Sequence, residues 1–269
     1  VALCGEGDEA PRLVHPGRRW SRGEVLGWLL GELPDRTLVG LDLGMSLPFA
    51  DKGAFFPDWG ESPADARGLW ALIDRLCEGD DHLAATGFVD HPELSRFFRR
   101  HGGREGDRFG ADGVPGGRGR FRVTEHAQRH AGCNPYSNFN LVGAAQVGKS
   151  SLTGMRVLHR LGEALPVWPV DPLLVDGSAA VEIYTSLAAI AAGRRAGRTK
   201  LRTIAELNAA LAAFGSRPVR GHGPIDDHRS DALLTAAWLR VTAHRPEYWR
   251  PAEMTPPIAA TEGWTFGAL

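Results

Sequence analysis

The sequence predicts an α/β fold, and two kinds of segment indicate it. Short runs rich in apolar and β-branched residues, at 37–48 and 179–185, are typical of buried strands. Around them lie segments with apolar residues at helical spacing and with capping residues at their ends. Strands that alternate with helices are the pattern of an α/β domain.

The first part of the chain follows this pattern. Residues 1–4 and 12–15 predict two short strands joined by a charged turn. Ser21 opens a helix, because Glu24 three residues later completes the spacing of a capping box. The stretch TLVGLDLGMSLP at 37–48 then predicts a strand with Asp42 near its end.

The rest of the chain adds one good strand and several helices. AAVEIYT at 179–185 is the second clear strand, 139–142 is predicted to be a short one, and the Pro-rich 165–172 is predicted to be a loop or edge segment. The tail is expected to pack on the core through Trp264 and Phe266. Helices are predicted from Ser62 onward and at 92–101, 124–133, 150–161, 201–214 and 227–241.

Composition excludes several classes of protein. The 269 residues carry a net charge of -1, so the chain as a whole does not attract nucleic acid. The three cysteines are far apart, which argues against a zinc site or a disulfide framework and favours a reducing cytoplasm. No apolar run approaches membrane-helix length, and no linker divides the chain, so we expect a single domain over 1–269 without membrane partners.

Acidic side chains stand where an α/β domain could bring them together. Asp42 ends one strand, Glu182 lies within the other, and Asp227 and Asp231 share a helical face after Asp226. Carboxylates on separate rigid elements suit Mg²⁺ or Mn²⁺, so we predict Asp42, Glu182 and Asp231 as metal ligands, with Asp227 as a supporting or alternate ligand. The open alternative is that each acid is separately a cap, an ion-pair partner or a surface residue.

The densest positive cluster is a Gly-rich stretch at 102–122. It is predicted to be either a solvated, flexible insertion or a mobile arm that contacts the phosphates of nucleic acid. Its arginines are Arg104, Arg108, Arg118, Arg120 and Arg122.

GAAQVGKS at 143–150 matches the phosphate-binding loop of nucleoside triphosphatases. In such a loop Lys149 would reach the terminal phosphates and Ser150 would hold magnesium. The sequence supplies no convincing partner aspartate, so a glycine-lined turn before a packed helix remains the alternative.

An ordered series of short motifs resembles the RNase H-like family known as domain of unknown function 429. The motifs are VGLDLGMSLP, FNLVGAAQVGKSSLTGMRVLHRL, VEIYTSL, DDHRSDALLTAAWLR and EGWTFG, and together they cover most of the chain from about Thr37. The resemblance implies an RNase H-like mixed sheet flanked by helices, and nuclease chemistry related to that of Holliday-junction resolvases. Carried over by position, the acids are Asp42, Glu182 and Asp227 or Asp231.

RNase H-like enzymes carry a further aspartate on a first strand, ahead of a hairpin. Here the pattern begins with the hairpin at Val1, so the resemblance places that strand upstream or implies that it is absent. Three functions therefore stay open: a metal-dependent nuclease, a P-loop NTPase or kinase, and an inactive RNase H-like binding module.

Overall fold

The computed structural model describes residues 1–110, 119–143 and 147–269, and these form a mixed α/β fold, as predicted. The strands are β1 (Ala2–Leu3), β2 (Arg12–Leu13), β3 (Leu38–Leu41), β4 (Val167–Trp168) and β5 (Ala179–Glu182). The helices are α1 (Arg22–Gly31), α2 (Ala66–Leu76), α3 (Thr86–Val89), α4 (Val123–His130), α5 (Val147–Leu161), α6 (Thr185–Ala191), α7 (Ile204–Ala212), α8 (Asp227–Thr242), α9 (Pro246–Trp249) and α10 (Pro256–Thr261). Of the helices in this part of the chain, none combines the length and apolar character that a membrane crossing requires.

Three of the strands form a parallel sheet in the order β3-β5-β4, so β5 is central. Its register pairs Leu38 with Ala179 and Leu41 with Glu182. The other two strands form the antiparallel hairpin expected at the start of the chain, with Ala2 opposite Leu13. The Pro-rich segment contributes β4, which is an edge strand, in agreement with the sequence prediction.

Helices cover both faces of the parallel sheet, and each face has its own apolar cluster. Val39 and Leu41 of β3 pack with α1, α2 and α5, whereas Leu38 packs on the other side with α6, α7 and α8. This division follows from the strand geometry, because successive side chains point to opposite faces. The tail packs as predicted, with Trp264 and Phe266 fully buried.

Helix ends follow their capping residues. Ser21 and Glu24 form the predicted capping box at α1, and Asp226 caps α8 by accepting a hydrogen bond from the Arg229 amide at 3.0 Å. The prediction for the second helix was wrong by one turn. Asp65, rather than the Ser62–Pro63 pair, caps α2 by accepting a hydrogen bond from the Gly68 amide.

Two predicted elements are absent from the described residues. Phe139–Val142 is not a strand, because only Asn140 makes an isolated bridge, to Arg99, while Phe139 sits in an aromatic cluster. The helix predicted over 92–101 is a 3₁₀ turn at Leu94–Phe97. Leu94, Phe97 and Phe139 are nevertheless buried.

Candidate functional site

Asp42 and Asp231 line one cavity near the carboxyl end of β3. Asp42 follows the last residue of β3, and Asp231 lies in the second turn of α8. A Cβ atom built on Gly40 would lie 2.7 Å from the Leu239 side chain, so alternate positions of β3 face α8. Asp42, two residues after Gly40, therefore points to the same face, towards Asp231.

A lysine joins this acidic pair. The Lys200 ammonium donates a hydrogen bond to Asp231 Oδ2 at 2.7 Å and lies 3.9 Å from Asp227 Oδ2. Partial burial lowers the pKa of Lys200, but the hydrogen bond and charge of Asp231 raise that pKa overall. Asp227 thus joins the group through Lys200, while Asp226 serves as the cap.

The electrostatic environment of Asp42 is that of a carboxylate held close to another negative charge. Its side chain is exposed towards the cavity beside β3, while protein surrounds it on the other sides. This burial, followed by the charge of Asp231, raises the pKa of Asp42 to about 6, against the opposing effect of Lys200. His228 also lines the cavity near Asp42.

Glu182 lies on the opposite face of the sheet. Because the register pairs it with Leu41, its side chain points with Leu41 and away from the face of Asp42. Its charge still contributes to the raised pKa of Asp42. The structure therefore brings Asp42 and Asp231 together and directs Glu182 into the interior.

Glu182 is the centre of a buried ion-pair network. Arg122 donates two hydrogen bonds to its carboxylate, Nη2 to Oε1 at 2.6 Å and Nη1 to Oε2 at 2.9 Å. Thr265 Oγ1 donates to Oε1 at 2.5 Å and the Met45 amide donates to Oε2 at 2.7 Å. Both oxygens of Glu182 are thus bound to protein donors, which ties β5 to three distant segments.

Glu125 completes this network on the other side of Arg122. Arg122 Nε donates to Glu125 Oε1 at 2.9 Å, and both residues are almost fully buried. Burial lowers the pKa of Arg122, but the charges of Glu125 and Glu182 raise it well above the usual range. Burial raises the pKa of Glu125, and the charge of Arg122 offsets this effect only in part.

Comparisons of the chain with protein-family models, with curated proteins and with solved structures found no match. The geometry around Asp42 is therefore the basis for assigning a function. Within residues 1–110, 119–143 and 147–269, no group of three or more His, Cys, Asp or Glu side chains is arranged to hold a metal ion. A cation between Asp42 and Asp231 would need further oxygen ligands from water or substrate.

The arginines of the 102–122 stretch divide between the interior and the surface. Arg120 and Arg122 are buried rather than on a mobile arm, since Arg120 pairs with Asp51 at 2.6 Å and Arg122 pairs with Glu182. Arg108 donates to the Pro57 carbonyl oxygen at 2.5 Å, and Arg104 is exposed. Arg118 lies outside the described residues.

The phosphate-loop motif falls at the start of α5, and residues 144–146 lie outside the described residues. Lys149 and Ser150 are exposed in the first turn of α5. The strand expected before the loop is not formed. The Gly148 amide donates to the Asn140 carbonyl oxygen at 3.1 Å, and a side chain at 148 would collide with the carbonyl oxygens of Asn138 and Asn140. Close backbone packing is therefore one reason for a glycine at this position.

Lys200 is the member of the cluster that sequence reasoning missed. It follows α6 in a basic, irregular segment, GRRAGRTKLR, where no spacing distinguishes it from the neighbouring cations. Only the packing of this segment against α8 selects it. The buried role of Arg122 was equally hidden, because its partners Glu182 and Glu262 are 60 and 140 residues away in the chain.

Proposed function

We propose that this protein is an RNase H-like phosphodiesterase that holds a divalent cation, Mg²⁺ or Mn²⁺, between Asp42 and Asp231. The observation that carries the proposal is that these two carboxylates, one directly after β3 and one from α8, line one cavity, where the charge of Asp231 acts on Asp42. The negative charge of Asp231 disfavours the charged form of Asp42, and a bound cation would relieve that repulsion.

The chemistry of the side chains fits a hard cation of this type. Carboxylate oxygens are its preferred ligands, and Mg²⁺ is commonly held by one or two carboxylates together with waters and substrate phosphates. The ammonium of Lys200 already lies against Asp231 as a positive counter-charge. Asp227 supplies a third carboxylate within reach of Lys200 and serves as a supporting group in this proposal.

The proposed roles of the residues follow from their positions. Asp42 and Asp231 would bind the cation, which when bound lowers the pKa of a coordinated water and stabilises charge on a phosphate oxygen. Lys200, about half exposed at 49%, can turn its ammonium from Asp231 to a phosphate oxygen of the substrate. His228, beside Asp42 on the cavity wall, can donate a hydrogen bond to the same phosphate group.

The fold also supports the RNase H-like part of the proposal. An antiparallel hairpin precedes a set of parallel strands, and helices cover both faces of the parallel sheet. The acids of the proposed site come from a strand end and from the start of a long helix, the positions that the family resemblance implies. Glu182 is not a ligand in this proposal, because its oxygens accept hydrogen bonds from Arg122, Thr265 and Met45.

The proposal is tested by following the melting temperature during a titration with Mn²⁺. Wild-type protein should be stabilised, whereas Asp42→Asn and Asp231→Asn should lose most of the gain. Asp176→Asn, an exposed aspartate distant in sequence, is the matched control and should keep it. Equal stabilisation of wild type and Asp42→Asn would overturn the proposal.

Activity provides the second test. Wild-type protein with Mn²⁺ should hydrolyse an activated phosphodiester such as bis(p-nitrophenyl) phosphate, or labelled DNA or RNA oligonucleotides. Asp42→Asn should reduce the rate at least about a hundredfold, the scale expected for loss of a group that stabilises the transition state. A purified protein that binds Mn²⁺ through Asp42 yet cleaves none of these substrates would instead favour the inactive binding module.

A further inference from the structure

A basic segment adjoins the carboxylates of Asp42 and Asp231. This segment, GRRAGRTKLR at 193–202, carries four arginines, one lysine and no acid. The lysine is Lys200, whose ammonium lies 2.7 Å from Asp231 Oδ2. Because the chain as a whole has a net charge of -1, the segment is a local concentration of positive charge beside the proposed site.

The second half of this segment, at 198–202, presents its cations in one row. Arg198, Lys200 and Arg202 are exposed, whereas the two residues between them are partly or fully buried. The stretch lies between α6 and α7 and is not helical, and alternation with a period of two is typical of an extended backbone. Successive cations of the row are therefore about 6–7 Å apart along the chain.

Hydrogen bonds hold the row in place against α8. The carbonyl oxygen of Leu201 accepts a hydrogen bond from Ser230 Oγ at 3.1 Å. The carbonyl oxygen of Arg202 accepts another from the Ile225 amide at 2.9 Å. Both donors lie in α8 or just before it, so the helix that carries Asp231 also positions the row.

The two outer cations of the row are available to a ligand. Lys200 pairs with Asp231, but neither Arg198 nor Arg202 forms an ion pair with any residue that the structure describes. Both guanidinium groups are exposed on the protein surface. A guanidinium group of this kind can donate two parallel hydrogen bonds to the oxygens of one phosphate.

The spacing and surroundings of the row favour a polymer of phosphates over other anionic partners. Successive phosphates of a nucleic-acid strand are separated by a distance similar to that between successive cations of the row. Binding to an anionic membrane surface usually combines cations with apolar side chains. Among the described residues, none of the large apolar side chains that are exposed lies at 193–202.

We propose that Arg198, Lys200 and Arg202 bind three successive phosphates of one nucleic-acid strand. Lys200 holds the middle phosphate next to Asp231, a placement that rests on the proposed function, and the two arginines hold the phosphates on either side. Contacts to phosphates carry no base information, so binding does not depend on base sequence. This row replaces the 102–122 stretch as the main contact with the nucleic-acid backbone, since two arginines of that stretch are buried.

The test measures binding of a fluorescent oligothymidylate of about twelve nucleotides by anisotropy, in EDTA so that cleavage is not required. Wild-type protein should bind it, and binding should weaken as salt rises. The double variant Arg198→Ser/Arg202→Ser should bind at least about tenfold more weakly at low salt. Its slope of log Kd against log salt should fall by about 1.4, because each phosphate contact to a single strand contributes about 0.7. An oligouridylate of equal length shows whether RNA binds more tightly than DNA.

The matched control removes the same charge at a distance from the row. Arg19 and Arg250 are exposed, and Arg250 follows Trp249, which donates to the Ala243 carbonyl oxygen beyond the far end of α8. Arg19→Ser/Arg250→Ser should change Kd less than about twofold, since salt screens distant charges. Both double variants should melt at the wild-type temperature. Equal weakening by the two double variants would show that only net charge matters and would overturn the proposal.

Two other ligands decide against nucleic acid. Displacement of the oligonucleotide by polyglutamate at an equal concentration of charge would assign the row to an acidic protein. Vesicles containing phosphatidylserine that bind through Arg198 and Arg202, without binding of either oligonucleotide, would assign it to a membrane surface. Either result would overturn the proposal.

Mn²⁺ distinguishes a failure of this proposal from a failure of the proposed function. If both are correct, Mn²⁺ should tighten oligonucleotide binding by the wild type but not by Asp42→Asn. Binding in EDTA that depends on Arg198 and Arg202 yet does not respond to Mn²⁺ would support the row and count against the proposed function alone. A response to Mn²⁺ without any dependence on the two arginines would overturn the row alone.

Discussion

Replacing Glu182 with Gln is the sharpest test of how the interior is held together. The substitution keeps the shape of the side chain but removes the charge opposite Arg122, and its amide nitrogen replaces one acceptor oxygen. Arg122 is 1% exposed, so water cannot compensate for the loss. Removing one member of a buried ion pair costs about 3–5 kcal/mol, because the remaining charge stays buried without its partner.

The size of the effect depends on the contacts that remain. Glu125 still accepts a hydrogen bond from Arg122 Nε at 2.9 Å, which keeps the expected loss near the lower limit of about 3 kcal/mol. For a large domain this corresponds to a fall in melting temperature of about 6–12 °C. Urea denaturation gives the free energy of unfolding, and Glu163→Gln, at an exposed position, is the matched control and should change that free energy by less than about 0.5 kcal/mol.

The same variant separates a structural role from metal binding. If Glu182 serves the network alone, Glu182→Gln should melt at a lower temperature yet gain as many degrees from Mn²⁺ as the wild type. Asp42→Asn should not melt at a lower temperature than the wild type in the absence of metal, but it should lose most of the gain in melting temperature from Mn²⁺. Unchanged stability together with a lost response to Mn²⁺ would refute the structural role and restore Glu182 as a metal ligand.

Three further predictions concern the cluster and the phosphate-loop motif. The folded state binds the proton of Asp42 more tightly than the unfolded state, whose pKa is 3.8, so wild-type stability falls as the pH rises from about 4 to about 6. In EDTA at pH 7, Asp42→Asn should therefore be more stable by about 1 kcal/mol after allowance for solvent screening, and denaturation at pH 3.5 should remove the difference. Lys200→Met should lower the Mn²⁺ concentration for half-maximal stabilisation about threefold to tenfold, since no ammonium then competes for Asp231; an unchanged midpoint would contradict the pairing. Lys149→Ala should leave the Mn²⁺ response intact, whereas stabilisation by ATP with Mg²⁺ that this substitution removes would favour the NTPase.

Local signals in the sequence were sufficient for the elements that depend on local interactions. Ser21 and Glu24 interact within one helical turn, so their spacing alone predicts the start of α1. The strand before Asp42 and the helix after Asp226 were predictable from local sequence in the same way. Phe139–Val142 was not, because a run of apolar residues looks the same whether it is buried as a strand or as irregular backbone.

The site was only partly predictable, for a different physical reason. Asp42 and Asp231 could be named as candidates, but which face Glu182 occupies depends on its pairing with Leu41 across the sheet. A shift of one residue in that register would turn Glu182 to the other face. Nothing in the local sequence predicts that Lys200 pairs with Asp231 or that Arg122 pairs with Glu182, because these two partners come from distant segments.

The carboxylate of Glu262 has a consequence for how the protein is made. This buried side chain accepts hydrogen bonds from the amides of Phe49 and Ala50, at 2.6 and 2.7 Å, and from the Val123 amide at 2.7 Å. Phe49 and Glu262 are 213 residues apart, so at typical rates of synthesis about 10–40 s pass before the ribosome adds the acceptor. Until then the backbone amides of Phe49, Ala50 and Val123 lack this acceptor, so a nascent chain that has not reached Glu262 cannot fix the segment after β3 against the start of α4.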